Sequence, residues 1–180
     1  TRSISGQVNR LNGLVNDLIS LAKAGEKDES QVEDVNFSDI VADAANQFKP
    51  VADQQNKKLT TDIRSDIHVT AEKNLMQELT NILIDNATKY CDDNGEIRVS
   101  LTKKTGDKRA QLSVSNSYAN SAKADTKRFF NRFYRGDVSH NSQKSGHGIG
   151  LSIAQNITEQ FNGRIGASAK NGVMTFTVHI

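Results

Sequence analysis

The sequence predicts an α+β fold, a two-layer α/β sandwich in which helices cover one face of a mixed, mostly antiparallel sheet. Two observations indicate this class. Short segments with alternating polar and apolar residues, typical of strands, are interspersed with longer segments that have helical spacing of apolar residues. Turn signals of the hairpin type, Gly106-Asp107 and Asn171-Gly172, join two pairs of the predicted strands.

One long helix with a heptad pattern precedes the sandwich, over residues 4–24. A single helix cannot bury such an apolar stripe by itself, so we expect partner helices in a bundle; packing onto the chain's own domain is the alternative. Gly25 is placed to end the helix, and residues 26–31 form a charged linker. The heptad residues are Ile4, Val8, Leu11, Val15, Leu18 and Ala22, with Leu14 and Leu21 beside them.

The sandwich then begins with a strand and a helix. Ser38 is expected to cap this helix, which runs to about Gln55 with a kink or a break near Phe48, because Pro50 lies inside it. Residues 71–90 form the next helix, with strong apolar periodicity. The strands are predicted at residues 32–37, 59–63, 67–70, 96–103, 110–115, 164–169 and 173–180.

Residues 116–147 are mostly irregular and lead into three alternating glycines, Gly146, Gly148 and Gly150. Helical spacing of apolar residues begins directly after them and ends near Gly163. Alternating glycines let the backbone turn with positive φ and approach a ligand closely. A helix that starts there aims unpaired N–H groups and its positive dipole end at that ligand. The motif therefore indicates a phosphate cradle; a flexible turn before a helix is the alternative.

Composition limits the classes of function. The chain has 180 residues, 36% of them hydrophobic, which is enough for one domain with a single core. Its 23 basic and 21 acidic residues create no bulk field that would attract nucleic acid. No apolar run approaches the roughly 18–20 residues needed to cross a membrane. The one cysteine, Cys91, excludes an internal disulfide and suits a reducing compartment.

A second group of candidate residues lies at the end of the 71–90 helix. Asn86 shares a face with apolar residues, and a buried amide without a partner costs about 1–3 kcal/mol, so it needs something to bind. Lys89 and Tyr90 lie beside it on the helix surface. An amide oxygen, an ammonium and a phenol ring suit magnesium, phosphate and a nucleoside respectively. The alternatives are an amide satisfied by backbone and an ion pair between Asp85 and Lys89.

Three motifs in this order resemble the N box, the F box and the second glycine box of sensor histidine kinases. Residues 32–180 are similar to the ATP-binding catalytic domain of these kinases, which has the GHKL, or Bergerat, fold of gyrase and related ATPases. Residues 1–25 resemble part of a dimerisation and phosphoacceptor bundle, its second helix. The motifs are Asn86-Ala87-Thr88-Lys89-Tyr90, Arg132-Phe133-Tyr134-Arg135 and Gly146-His147-Gly148-Ile149-Gly150-Leu151.

The resemblance implies a role for each matched residue. Asn86 would coordinate the Mg²⁺ that bridges the phosphates of ATP. Lys89 would face the phosphates, Tyr90 the nucleoside, and Arg135 the terminal phosphate. The backbone N–H groups of the glycine box, residues 146–151, would bind the phosphates. These roles suit phosphoryl transfer, in which the protein mainly positions groups and neutralises charge.

The chain departs from the family's pattern at two places in this site. Where the first glycine box of the family has an Asp followed by two glycines, this chain has Ser115-Asn116-Ser117-Tyr118-Ala119. Asn116 would replace the Asp that reads the adenine amino group, because its carbonyl can accept from that group while its NH₂ could reach a ring nitrogen. Ile82 stands one turn before Asn86, where these kinases usually have Asn and hydrolysing relatives have a Glu that activates water. An isoleucine cannot activate water, which argues against a dedicated ATPase and leaves a kinase tolerable.

Two further implications concern neighbouring elements. Phe130 and Phe133 would anchor a short helix beneath a lid at residues 136–145. No histidine lies on the heptad helix, so the phosphoacceptor histidine would belong to a preceding helix absent from this chain. The four histidines are His68, His140, His147 and His179.

The expected function is that of the catalytic domain of a two-component sensor histidine kinase, which transfers the γ-phosphoryl group of ATP to a histidine on a dimerisation helix. The implied cofactors are ATP and Mg²⁺. The implied partners are the receiver domain of a response regulator and a second copy of the chain, bound through the dimerisation helices; no nucleic acid is expected. We expect a cytoplasmic location for this part of a membrane-anchored sensor. The alternative is a degenerate module that acts by dimerisation or docking without ATP turnover.

Overall fold

The structure is a computed structural model that describes part of the chain. Apart from Val15, the predicted heptad helix lies outside the described residues, as do the Gly106-Asp107 turn and the lid. Three predicted site residues, Arg135, Gly146 and His147, also lie outside them. The described residues are Val15, 31–103, 109–134 and 148–180.

Within these residues the chain forms seven strands and three α-helices. Two short 3₁₀ helices, Ala119–Lys123 and Thr126–Arg128, lie in the segment predicted to be mostly irregular. The strands are β1 (Val32–Asn36), β2 (Lys58–Ile63), β3 (His68–Glu72), β4 (Glu96–Lys103), β5 (Ala110–Ser117), β6 (Arg164–Lys170) and β7 (Val173–His179). The helices are α1 (Phe37–Gln54), α2 (Lys73–Tyr90) and α3 (Gly150–Gln160).

Five strands form one mixed sheet in the order β2-β4-β5-β7-β6. β2 and β4 run parallel, whereas the other three neighbouring pairs are antiparallel. β1 and β3 form a separate antiparallel pair. The predicted α+β class, with a mostly antiparallel sheet, is therefore confirmed.

The core lies between one face of the sheet and the helices. Every second residue of β5 is buried, including Leu112 and Val114, whereas the residues between them are half-buried. From the helical layer, α2 buries Leu79 and Leu83 completely. Since α1 and α3 both pack against α2, this helix is the centre of the layer.

The turn between β6 and β7 has the predicted hairpin chemistry. Asn171 and Gly172 have φ angles of 52° and 76°, and positive φ at both central residues is what a type I′ turn requires. The two strands pair in register from one end to the other. The local sequence is thus sufficient to specify this hairpin.

The predicted cap of α1 is wrong. Asn36 is the N-cap residue, and its side-chain oxygen accepts from the Asp39 N–H at 3.3 Å. Ser38 lies inside the first turn instead. Its hydroxyl donates to the Arg64 carbonyl at 2.7 Å and accepts from the Ile67 N–H at 2.9 Å. Ser38 therefore ties α1 to the connection between β2 and β3.

Of the kink or break predicted near Phe48, the break is wrong, because α1 continues through Pro50 to Gln54. Proline lacks the N–H that would bond the carbonyl of Asn46, four residues earlier. Asn46 and Pro50 are both exposed, so water can bond to this carbonyl. The exposed position makes the proline tolerable in a long helix.

We expect Ser38→Ala to lower the free energy of unfolding by about 1–3 kcal/mol, because the buried N–H of Ile67 loses its acceptor. Urea denaturation followed by circular dichroism measures the change. Ser65→Ala, at an exposed position nearby, is the control and should change the free energy by less than about 0.5 kcal/mol. Equal effects of the two substitutions would contradict the role given to the Ser38 hydroxyl.

Candidate functional site

The last turn of α2 carries Asn86, Lys89 and Tyr90 at the edge of the core. All three are half-buried, whereas the intervening Ala87 and Thr88 are buried. Within the described part of the chain, no hydrogen bond reaches the Asn86 amide. Its side-chain oxygen can therefore coordinate a ligand.

Lys89 makes the local ion pair that its spacing allows. Its Nζ lies 2.6 Å from Asp85 Oδ2, and the two side chains are 39% and 43% exposed. Such half-exposed pairs between residues i and i+4 contribute little to stability, about 0.3–0.5 kcal/mol. The ammonium can therefore exchange this carboxylate for another anion at low cost.

A buried lysine that the sequence analysis missed holds the same turn of α2. Lys57 is 7% exposed, and its Nζ donates to the Thr88 carbonyl at 2.7 Å and to Gln55 Oε1 at 2.9 Å. The Thr88 carbonyl is among the last four of the helix, which have no partner within it. Lys57 thereby connects the end of α2 to the segment between α1 and β2. Its position in a lysine pair after a helix is typical of an exposed loop, so the sequence carries no signal for this contact.

Asn116, near the end of β5, has a buried oxygen without a partner. The residue is 2% exposed, and its Nδ2 donates to the Ser117 carbonyl at 3.0 Å. Its Oδ1 is buried and accepts no hydrogen bond. Because an unsatisfied buried acceptor costs about 1–3 kcal/mol, this oxygen calls for a donor from a ligand.

Tyr118 lies two residues after Asn116, and its backbone is extended, at φ −152° and ψ 91°. The two side chains therefore lie on the same face of the strand. Burial raises the pKa of the Tyr118 phenol above its ordinary value of 10.0, and the Asp92 carboxylate and the Tyr134 and Tyr90 hydroxyls raise the pKa further. The phenol is therefore neutral at physiological pH. These electrostatic contacts also bring residues from three separate elements into one neighbourhood.

The aromatic residues in the F box and directly before it divide into packed and exposed rings. Phe129 and Phe130 pack on Phe176 of β7, with ring centroids 6.2 Å and 6.4 Å apart. Phe133 is 63% exposed and has a φ of 62°. The expectation that Phe133 is an anchor is therefore wrong. Phe129 packs beside Phe130 instead, whereas the ring of Phe133 is exposed and its backbone is in the left-handed region.

Gly148 joins the glycine box to the F box. It has a φ of 70°, and a Cβ atom there would lie 2.8 Å from the carbonyl oxygen of Tyr134. Its own carbonyl accepts from the Phe133 N–H at 2.9 Å. Both the backbone angle and the close approach require glycine at this position. The glycine box and the F box, although separate in sequence, are thus joined by a backbone hydrogen bond and a close backbone contact.

Gly150 is the first residue of α3 and lies against α2. A Cβ atom at Gly150 would be 3.5 Å from Ile82 Cγ2, an ordinary contact. Ile149 is completely buried and Leu151 half-buried, so these two side chains belong to the packing. No side chain of the described residues caps α3. With respect to the described residues, its first N–H groups are therefore available to an anion, as the phosphate-cradle interpretation requires.

The fold therefore brings the described parts of the predicted site together. The glycine box meets α2 at Ile82, one turn before Asn86, and meets the F box at Tyr134. Tyr118, on the same face as Asn116, lies within electrostatic range of Tyr90. The described residues contain no group of three or more His, Cys, Asp or Glu side chains that could hold a metal ion.

Comparison with known proteins gives a family match. The sequence pattern of the family described as histidine kinase-, DNA gyrase B-, and HSP90-like ATPase matches residues 71–180. The signal transduction histidine-protein kinase BaeS of Escherichia coli is 29% identical over 99% of this chain and 38% of its own length. The sensor-like histidine kinase SenX3 of Mycobacterium tuberculosis is 29% identical over 96% of this chain and 42% of its own length. The chain thus spans less than half of these relatives.

Solved structures share the fold. Full-length ShkA in complex with AMPPNP has a TM-score of 0.79 at 20% identity, over 99% of this chain and 37% of that one. The histidine kinase AdeS of Acinetobacter baumannii has a TM-score of 0.75 at 23% identity, over 99% of this chain and 82% of that one. Among the described residues, no helix has the length and apolar character needed to span a membrane.

We expect Gly148→Ala to lower the free energy of unfolding by at least about 1 kcal/mol, because alanine is strained at positive φ and its Cβ would collide with the Tyr134 carbonyl. Gly150→Ala is the matched control in the same loop, since its Cβ would make only an ordinary contact. Urea denaturation compares the two variants. A Gly148→Ala variant as stable as Gly150→Ala would show that the junction between the glycine box and the F box is not rigid.

Proposed function

Because the chain belongs to the histidine kinase-, DNA gyrase B- and HSP90-like ATPase family, we propose that it is the ATP-binding catalytic part of a two-component sensor histidine kinase. The observation that carries the proposal is the buried Asn116 Oδ1, which has no hydrogen-bond partner among the described residues. It lies on the same face as Tyr118, whose phenol is within electrostatic range of the tyrosines of the N and F boxes. A nucleotide is the ligand whose chemistry accounts for this site.

The base end of the site would recognise adenine. Asn116 Oδ1 can only accept, and the 6-amino group of adenine donates, whereas guanine and hypoxanthine present a carbonyl at that position. The Asn116 Nδ2 already donates to Ser117, which leaves it one further hydrogen for a ring nitrogen. A neutral amide in this role gives a weaker hydrogen bond than a carboxylate does.

The phosphate end of the site would be formed by the glycine box with the start of α3 and by the end of α2. The uncapped N-terminus of α3 offers N–H groups and the positive end of a dipole. Lys89 would exchange its partner Asp85 for a phosphate, and the motif assigns Arg135, Gly146 and His147 to the same end. Asn86, whose amide oxygen has no described partner, would hold Mg²⁺ together with phosphate oxygens. Magnesium, when bound, neutralises charge on the transferring phosphoryl group.

Phosphoryl transfer is favoured over hydrolysis. Ile82 occupies the position one turn before Asn86 and packs against the start of α3, and a hydrocarbon side chain cannot activate water.

The acceptor would be a histidine of a dimerisation bundle, to which residues 1–25 would contribute the second helix. Residues 26–31 would be the linker and residues 32–180 the catalytic domain. A response-regulator receiver domain and a second copy of the chain are the proposed partners, and the cytoplasm the proposed location.

No feature of the described site favours the alternative, a docking module that binds no nucleotide. A module of that kind would keep the unsatisfied Asn116 oxygen in its interior without any compensating ligand. The relatives that match most of the chain are named as sensor kinases. We therefore retain the kinase as the proposed function.

Calorimetric titration of the chain with Mg²⁺ and a non-hydrolysable ATP analogue should show micromolar to sub-millimolar binding, and Asn116→Leu should weaken it roughly tenfold or more. The free energy of unfolding should fall little, because the Ser117 carbonyl keeps its bond from the Asp92 N–H. Asn120→Ala, at an exposed position just beyond β5, is the control for affinity. Unchanged affinity in Asn116→Leu would contradict the assignment of the base site.

Asn86→Ala should abolish the gain in nucleotide affinity that Mg²⁺ produces, while affinity without Mg²⁺ stays the same. The reason is that the substitution removes one oxygen ligand of the metal and leaves the base and phosphate contacts in place. Asn81→Ala, at an exposed position on the same helix, should retain the full effect of Mg²⁺. If both variants respond to Mg²⁺ equally, Asn86 is not a metal ligand.

A further inference from the structure

The Tyr118 phenol lies within electrostatic range of the chain's two other tyrosines, Tyr90 and Tyr134. Tyr90 ends α2, Tyr118 follows β5, and Tyr134 belongs to the F box; the chain has no tryptophan. The phenol of Tyr118 interacts electrostatically with the hydroxyls of the other two. Since these residues lie 16 or more positions apart in the sequence, it is the tertiary fold that brings the other two hydroxyls within electrostatic range of Tyr118.

Tyr118 is held rigidly beside the unpaired oxygen of Asn116. Its N–H donates to the Gly172 carbonyl at 2.7 Å, and the N–H of the next residue, Ala119, donates to Asp92 Oδ2 at 2.6 Å. Its ring is half-buried and packs against the core. Because the backbone is extended, the ring lies on the same face as Asn116. Backbone and ring therefore have one defined position at the base end of the site.

We propose that the Tyr118 ring is a wall of the adenine-binding end and packs against the purine base. This inference rests on the proposed function. In the kinases that the chain resembles, glycines follow the acidic residue of the first glycine box, and a glycine offers the base no ring. Here the acceptor, Asn116, is neutral and binds the base amino group more weakly than a carboxylate. Stacking on an aromatic side chain adds base affinity that does not depend on charge.

The absence of tryptophan makes the inference directly measurable. In a Tyr90→Phe, Tyr134→Phe double variant, Tyr118 is the sole tyrosine, so all tyrosine emission comes from the proposed base wall. Titration with Mg²⁺ and the ATP analogue, corrected for absorption by the nucleotide, should change this emission with the same Kd that calorimetry gives for this variant. Inorganic tripolyphosphate, which has no base, should leave it unchanged. An emission that does not respond while calorimetry detects binding would overturn the proposal.

Affinity of substituted chains provides a second test. Tyr118→Leu removes the ring but keeps an apolar side chain of adequate size for the half-buried position, and it should weaken binding roughly tenfold. Tyr118→Phe, which keeps the ring, should bind within about twofold of the unchanged chain. Equal losses in both variants would assign the effect to the hydroxyl and overturn stacking. Tighter binding by Tyr118→Leu would show that the ring occupies the place of the base, and would also overturn it.

The outcomes separate this inference from the proposed function. If the unchanged chain does not bind the nucleotide, both proposals fall. If it binds with the expected dependence on Asn116 and Mg²⁺, but Tyr118→Leu binds equally well, only the role of Tyr118 falls. Phe48→Leu, a comparable loss of an aromatic ring on α1, controls for general effects on the fold. Circular dichroism of every variant confirms that the chain folds.

Discussion

Burial of α2 between the sheet and the two other α-helices is the interaction on which the rest of the described structure depends. Leu79 and Leu83 are completely enclosed, and truncation of residues of this kind typically costs about 2–5 kcal/mol each. Asn86 follows Leu79 by seven positions and Leu83 by three, so the rotation that buries the leucines brings Asn86 to the edge of the same face. Packing of the core thereby positions the residues that carry the proposed chemistry.

Polar contacts then hold the surrounding loops, and the groups that they leave unpaired mark the site. The Lys57 ammonium holds the end of α2, and the Gly148 carbonyl holds the F box. By contrast, the Asn116 oxygen and the start of α3 have no partner among the described residues. Each of these unmade interactions disfavours the folded chain alone. A bound nucleotide would supply a donor to the oxygen and an anion to the helix start.

The residues at the proposed base end of this site differ in chemical type from those of the kinases that the chain resembles. A neutral amide stands where a carboxylate is expected, and a tyrosine where a glycine is expected. In the proposed site, Asn116 would lower the electrostatic part of base recognition, while Tyr118 would increase the aromatic surface around the base. The two departures are two residues apart on one face of the backbone, so they act on the same part of a ligand.

The sequence by itself determined what depends on neighbours along the chain. Periodicity predicted the strands and helices that the structure describes, turn chemistry predicted the Asn171-Gly172 hairpin, and the motifs led to Asn86 and Gly148. Tertiary structure alone decided the features that join distant residues. Ser38 binds the connection before β3, Phe133 is exposed while Phe129 is packed, Lys57 reaches the end of α2, and Tyr118 lies within electrostatic range of two distant tyrosines. The reason is physical: a hydrogen bond or ring contact between distant segments depends on how the elements are placed in space, and local propensity carries no information about that placement.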